Sequence, residues 1–199
     1  NISDDDMSLD NIFSSISGSS LYIKNQFGDF ADYYSSYGIW WGTLTNLDNA
    51  EMYKLLTSSD DVLEFSGIPV DPSSVQLDIE EGWNWIGYTP QQSMSIDNAL
   101  EPISDVVLYI KNKNGDFADY YSSYGVWWGT LMNLEPYSGY MLKTTGSTAF
   151  TYPSESMLSS NYESNINENF FSRNIEEWEL NINEFEYNGS IMAEISQET

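Results

Sequence analysis

The chain has 199 residues, of which 41% are hydrophobic and 16% aromatic, enough apolar material for one or two packed domains and too much for a disordered tail. Six Lys and Arg stand against 31 Asp and Glu, a formal charge of −25, which argues against nucleic-acid phosphates and anionic membrane surfaces as partners. With neither Cys nor His, the sequence offers no disulfide framework, no thiolate, no imidazole base and no Ser-His-Asp triad, and it shows no apolar run of membrane-spanning length.

The first predicted element is a short helix over residues 8–16, the counterpart of a second over 95–103, where Ile96, Ala99, Leu100 and Ile103 fall at helical spacing behind capping oxygens on Ser95 and Asp97. Residues 21–47, LYIKNQFGDFADYYSSYGIWWGTLTNL, recur at 108–134 as LYIKNKNGDFADYYSSYGVWWGTLMNL with four differences. The offset of 87 also aligns Tyr53 with Tyr140 and Leu63/Phe65 with Phe150/Tyr152, so two copies of one folding unit are expected. Between them, alternating Val75, Leu77 and Ile79, then Gly82, then Trp83 and Trp85 predict a β-hairpin over 75–87. The first copy has no counterpart of 67–87, so its sheet is expected to expose an unpaired edge and an open apolar groove.

In the second copy a strand over 106–111 and another over 117–121 flank a turn at Asn112-Lys113-Asn114-Gly115, where Asn-Gly is a strong hairpin signal; Gln26-Phe27-Gly28 in the first copy is weaker. Glu135 to Gly139 has turn composition, and strands follow at 140–144 and 148–152. Residues 153–172 are rich in Ser, Asn and Glu and read as a linker. A last hairpin is expected over 177–195, with Trp178, Leu180 and Ile182 alternating before Asn188-Gly189 and Ile191, Ala193 and Ile195 after it.

The fold class is therefore β-rich, mainly antiparallel, with one short helix per module. The expected domains are 1–66, a first module lacking its hairpin; 67–153, a complete second module; and 154–199, a linker and C-terminal hairpin. The strings EGWNWIGY, YIKNKNGDFADYY, GVWWGTL and LEPYSGYMLK resemble tandem modules of long secreted bacterial surface proteins. That resemblance covers residues 1–153 and implies secretion and display at the cell surface, with no catalytic residues to carry over.

Candidate sites follow from residue chemistry. Neighbouring strand residues face opposite ways, so one tryptophan of Trp40/Trp41 and one of Trp127/Trp128 is expected in the core. The other is left to stack on a sugar ring or to cover the junction between modules. Asp29/Asp32 and Asp116/Asp119, with the run Asp4-Asp5-Asp6, supply oxygen ligands of the kind Ca2+ takes, but their spacing matches no EF-hand loop, and a solvated acidic edge is the simpler reading. No metal ligands and no cofactor are assigned. Lys24 and Lys111 occupy equivalent strand positions open either to an isopeptide crosslink or to ordinary packing of their stems.

The expected function is that of a non-enzymatic extracellular structural or adhesive repeat protein. Its partners are copies of itself joined head to tail, the residues of the tail hairpin entering the groove of the next subunit's first module, or other surface and matrix components. The alternatives are a carbohydrate-binding module using the paired tryptophans, and an acid-only hydrolase with two carboxylates facing across a cleft.

Overall fold

A computed structural model describes residues 2–3 and 6–153. The fold is β-rich, with several antiparallel sheets and little helix. The expected tail hairpin, with Trp178, Leu180, Ile182, Ile191, Ala193 and Ile195, lies outside the described residues.

In chain order come β1 (Ile2–Ser3), α1 (Leu9–Ile12), β2 (Ser20–Lys24), β3 (Phe30–Tyr34), β4 (Ile39–Gly42) and β5 (Lys54–Thr57). Then follow β6 (Ile68–Pro69), β7 (Leu77–Ile79), β8 (Gly82–Gly87), β9 (Met94–Ser95) and α2 (Ile96–Leu100). The last are β10 (Val107–Lys111), β11 (Phe117–Tyr121), β12 (Val126–Gly129), β13 (Asn133–Leu134), β14 (Gly139–Thr144) and β15 (Thr148–Phe150). One sheet has the order β4-β3-β2-β5, the other β12-β11-β10-β14-β8, and β1-β6, β13-β9 and β15-β7 form two-stranded pairs.

Both helices start where the sequence places them. Ser8 Oγ accepts the amide of Asn11, and Ser95 Oγ that of Asn98, which satisfies one of the free N–H groups at each helix start. Each helix runs into a 3₁₀ turn, Ser14–Ile16 or Glu101–Ile103.

The strand registers repeat at the offset of 87. Tyr22 pairs with Asp32 as Tyr109 does with Asp119, and Asp32 with Trp41 as Asp119 with Trp128. The seven buried residues of the first core, Leu9, Ile12, Phe13, Ile16, Ile23, Ala31 and Leu44, recur as Ile96, Ala99, Leu100, Ile103, Ile110, Ala118 and Leu131 in the second. The second core holds 18 buried residues, and much of the surplus comes from Leu77, Ile79, Ile86 and Tyr88 and from what they cover. Leu142, Phe150 and Tyr152 are buried beneath them, whereas the equivalent Leu55 and Leu63 are exposed. Those strands therefore decide how complete each core is.

The hairpin expected over 75–87 is not formed, and that reading is corrected. The strands β7 and β8 lie where alternation puts them, but β7 pairs with β15 and β8 with β14. The two ladders together make one long ribbon bent at a corner between Ile79 and Gly82. There Asn84 Nδ2 donates to the Glu80 carbonyl while its Oδ1 accepts the Glu80 amide, and Thr144 Oγ1 donates to the same carbonyl. Asn84 is buried, and these bonds satisfy it. Alternation fixes which face each residue takes, not which strand lies beside it.

The turns between β2 and β3 and between β10 and β11 also differ in cause from the sequence reading. Asn112 Oδ1 accepts the amides of Asn114 and Asp116, and Asn25 Oδ1 accepts those of Phe27 and Asp29. The Asn that ends the strand organises both turns. Gly28 and Gly115, with φ of +95° and +92°, supply the one left-handed residue each needs, which is why Phe27 serves as well as Asn114.

Candidate functional site: an aromatic sheet face with two lysines

Alternation along each strand sorts the paired tryptophans as expected. Trp40 and Trp127 pack against the cores, with Tyr33 and Tyr120 as ring neighbours at 5.1 and 4.9 Å. Trp41 and Trp128 point outward, 63% and 64% exposed. The contact between the two sheets is made elsewhere, by Trp85. Its carbonyl accepts the amide of Met52, its own amide donates to Gln26 Oε1, and Lys54 Nζ stands 4.2 Å from its ring centre. Next to it the Gly87 amide donates to the Ala50 carbonyl at 2.8 Å. A side chain on Gly87 would start 2.7 Å from the Asn49 carbonyl oxygen, so only glycine lets the chains approach this closely.

The outer face of the five-stranded sheet gathers exposed and half-buried aromatics and bases. Pairing registers place Trp128, Asp119, Tyr109, Lys143 and Trp83 in one row across it, and Phe117, Lys111, Met141 and Trp85 in the next. Trp83 and Tyr109 meet edge to face at 5.8 Å, Tyr109 stacks on Phe117 at 5.9 Å, and Phe117 meets Trp128 at 6.2 Å, distances at which rings attract one another. Lys111 and Lys143 stand 5.1 and 5.8 Å from the Trp83 ring centre, within cation–π range. An open depression of about 580 Å³ lies here, lined by Trp83, Leu108, Tyr109, Lys111, Asp119 and Lys143 among others.

The first sheet has part of this face. Tyr22 stacks on Phe30 at 6.0 Å, and Lys24, Asp32 and Trp41 keep their places. Leu56 stands where Lys143 does, and β5 is an edge strand where its counterpart β14 is interior. Sequence reading placed Trp83 on a strand and gave Lys111 only a crosslink or packing role; it missed that they converge with Lys143, because the three lie on three strands whose order was not legible.

The repeated aspartates divide into two groups. Asp29 and Asp116 accept hydrogen bonds from Asn25 and Asn112 side chains and belong to the turns, while Asp32 and Asp119 lie on the outer faces. Among the described residues no three carboxylates gather as metal ligands would. The two tyrosines that the offset of 87 aligns have matching roles, since Tyr53 Oη accepts the Asp48 amide and Tyr140 Oη the Glu135 amide, each at 2.8 Å. Burial pushes both hydroxyls up from the usual tyrosine pKa. Burial also raises that of Tyr152, whose hydroxyl has no hydrogen-bond partner among the described residues.

The site is thus an open, aromatic, mixed-charge face on an antiparallel sheet. Compared with known proteins, the chain matches no family model, no curated protein and no solved structure.

Proposed function

We propose that the chain is a non-enzymatic extracellular surface protein of two tandem modules whose outward aromatic sheet faces are adhesive. The observation that carries this reading is the matched exposure of Trp41 and Trp128, each presented beside a strand-paired aspartate in the same register. Large exposed aromatics that recur on a regular frame mark contact surfaces rather than leftover core. The resemblance of the GWNWIGY and GDFADYY strings to repeats of secreted surface proteins supports secretion and display. Binding of the purified protein to an array of neutral and charged glycans tests it. Wild type should bind some of them, and Trp41→Ala with Trp128→Ala should weaken that binding at least tenfold while the melting temperature stays within a few degrees. Absence of binding, or binding indifferent to both tryptophans, would overturn it.

A second reading, head-to-tail assembly, is supported by a different observation. Among the described residues β5 pairs only with β2, and Leu55 and Leu56 on it and Val62 and Leu63 after it in sequence are exposed. Such an edge recruits an extended strand, and residues 177–195 are the proposed donor. Sedimentation at high protein and salt concentration should show polymers that disappear on deletion of residues 177–199; a monomer under those conditions would refute assembly.

A further inference from the structure

Lys111 and Lys143 pose a question that folding alone does not answer. The chain has six basic residues and a charge of −25, yet two of the six share one patch. Lys111 lies opposite Met141 and Lys143 opposite Tyr109, which makes them diagonal neighbours on one sheet face, where like charges repel. Neither makes an ion pair among the described residues; each faces the Trp83 ring instead. Lys54, by contrast, approaches Trp85 to 4.2 Å. The looser approach to Trp83, which is 45% exposed, leaves two ammonium groups and an aromatic ring facing solvent together.

Resting on the adhesive-face reading, we propose that this patch is a single binding site for an anionic sugar, a pyranose bearing a carboxylate. Its carboxylate would lie between the Lys111 and Lys143 ammonium groups, which relieves their mutual repulsion and places an anion where this acidic surface is locally positive. The C–H face of the ring would rest on Trp83, since the negative face of an aromatic ring attracts polarised C–H groups. Asp119 would accept hydrogen bonds from ring hydroxyls. The track from Trp83 through Tyr109 and Phe117 to Trp128 crosses all five strands, ~19 Å at the usual strand spacing. That length suits several linked sugars rather than one.

The same comparison gives the stoichiometry. In the first sheet Leu56 replaces Lys143, and the second lysine there, Lys54, lies opposite Lys24 with its ammonium already held on the half-buried Trp85 ring at 4.2 Å. One site per chain is expected, although the aromatic faces are otherwise repeated.

The test is titration calorimetry on the full chain with hexamers of α-1,4-linked galacturonate and of α-2,8-linked sialic acid, against maltohexaose and hexaglutamate. At least one acidic hexamer should bind with one site per chain, at least tenfold more tightly than maltohexaose or hexaglutamate. Lys143→Ala and Lys111→Ala should each weaken it at least fivefold, Trp83→Ala more, and Lys24→Ala should leave it unchanged. Lys111→Arg should retain binding, which separates charge from damage to the fold. Two sites per chain, equal binding of hexaglutamate, or no binding of either acidic hexamer would overturn the proposal. Tryptophan-dependent binding of maltohexaose that ignores Lys111 and Lys143 would sink acid selectivity while leaving the adhesive-face reading intact.

Discussion

Replacing Asn112 by Ala should destabilise the protein much more than replacing Asn114, its neighbour in the same turn. Asn112 Oδ1 accepts two backbone amides, from Asn114 at 2.9 Å and Asp116 at 3.0 Å, and its Nδ2 donates to Asp116 Oδ2 at 2.9 Å. Each neutral bond contributes about 0.5–1.5 kcal/mol net and a bond to a charged group somewhat more. The turn is half open to water, where the lost partners are partly replaced, so about 2 kcal/mol is expected. Asn114 has ordinary negative φ, being absent from the left-handed residues, and its counterpart is Phe27 in a turn of the same form, so Asn114→Ala should change stability by under about 0.5 kcal/mol. Urea unfolding followed by tryptophan fluorescence measures both, with midpoints compared at constant slope. Equal losses, or a larger loss for Asn114→Ala, would show that the Asn-Gly pair and not the strand-terminal Asn sets the hairpin.

Three further outcomes are expected. Tyr152→Phe removes a fully buried hydroxyl with no partner among the described residues and should raise stability by about 1 kcal/mol; an equal loss in the urea midpoint would reveal a bond it does make. Burial holds the Tyr53, Tyr140 and Tyr152 hydroxyls protonated above the usual tyrosine range, so the folded chain binds protons more tightly than the unfolded one. That contribution is complete below about pH 10 and falls as the pH rises beyond it; the midpoint should drop between pH 8 and pH 11, and by less in Tyr152→Phe. Gly87→Val puts a side chain against the Asn49 and Glu51 carbonyls and should cost about 2 kcal/mol, splitting the urea transition in two; a single unchanged transition would mean that the Ala50 contact is dispensable.

Element positions were largely legible in the sequence, and strand partners were not. Helix starts followed from Ser8 and Ser95, and the facing of Trp40 against Trp41 from alternation, because both depend on neighbours in sequence. The pairing of β7 with β15 depends on a bend held by Asn84 and Thr144, residues about 60 apart, which no local pattern encodes. For the same reason the tryptophans were recognised as a candidate surface while Trp83, Lys111 and Lys143, brought together only by sheet order, were not. Asn112 was placed in its turn without the organising role, because Asn-Gly, the stronger dipeptide signal, stood two residues away.

The near identity of residues 21–47 and 108–134 has a kinetic consequence. A folding chain holds two almost interchangeable three-stranded cassettes, and β5 or β14 can dock on either through similar backbone ladders. The distinguishing ladder is β8 against β14, where six residues of each strand pair from Gly139↔Gly87 to Thr144↔Gly82. Until it zips, cassettes within one chain or between two chains can be exchanged, a characteristic error of repeated sequences. Refolding yield should therefore fall with protein concentration, and the segment GWNWIG acts as the address that tells the second cassette from the first.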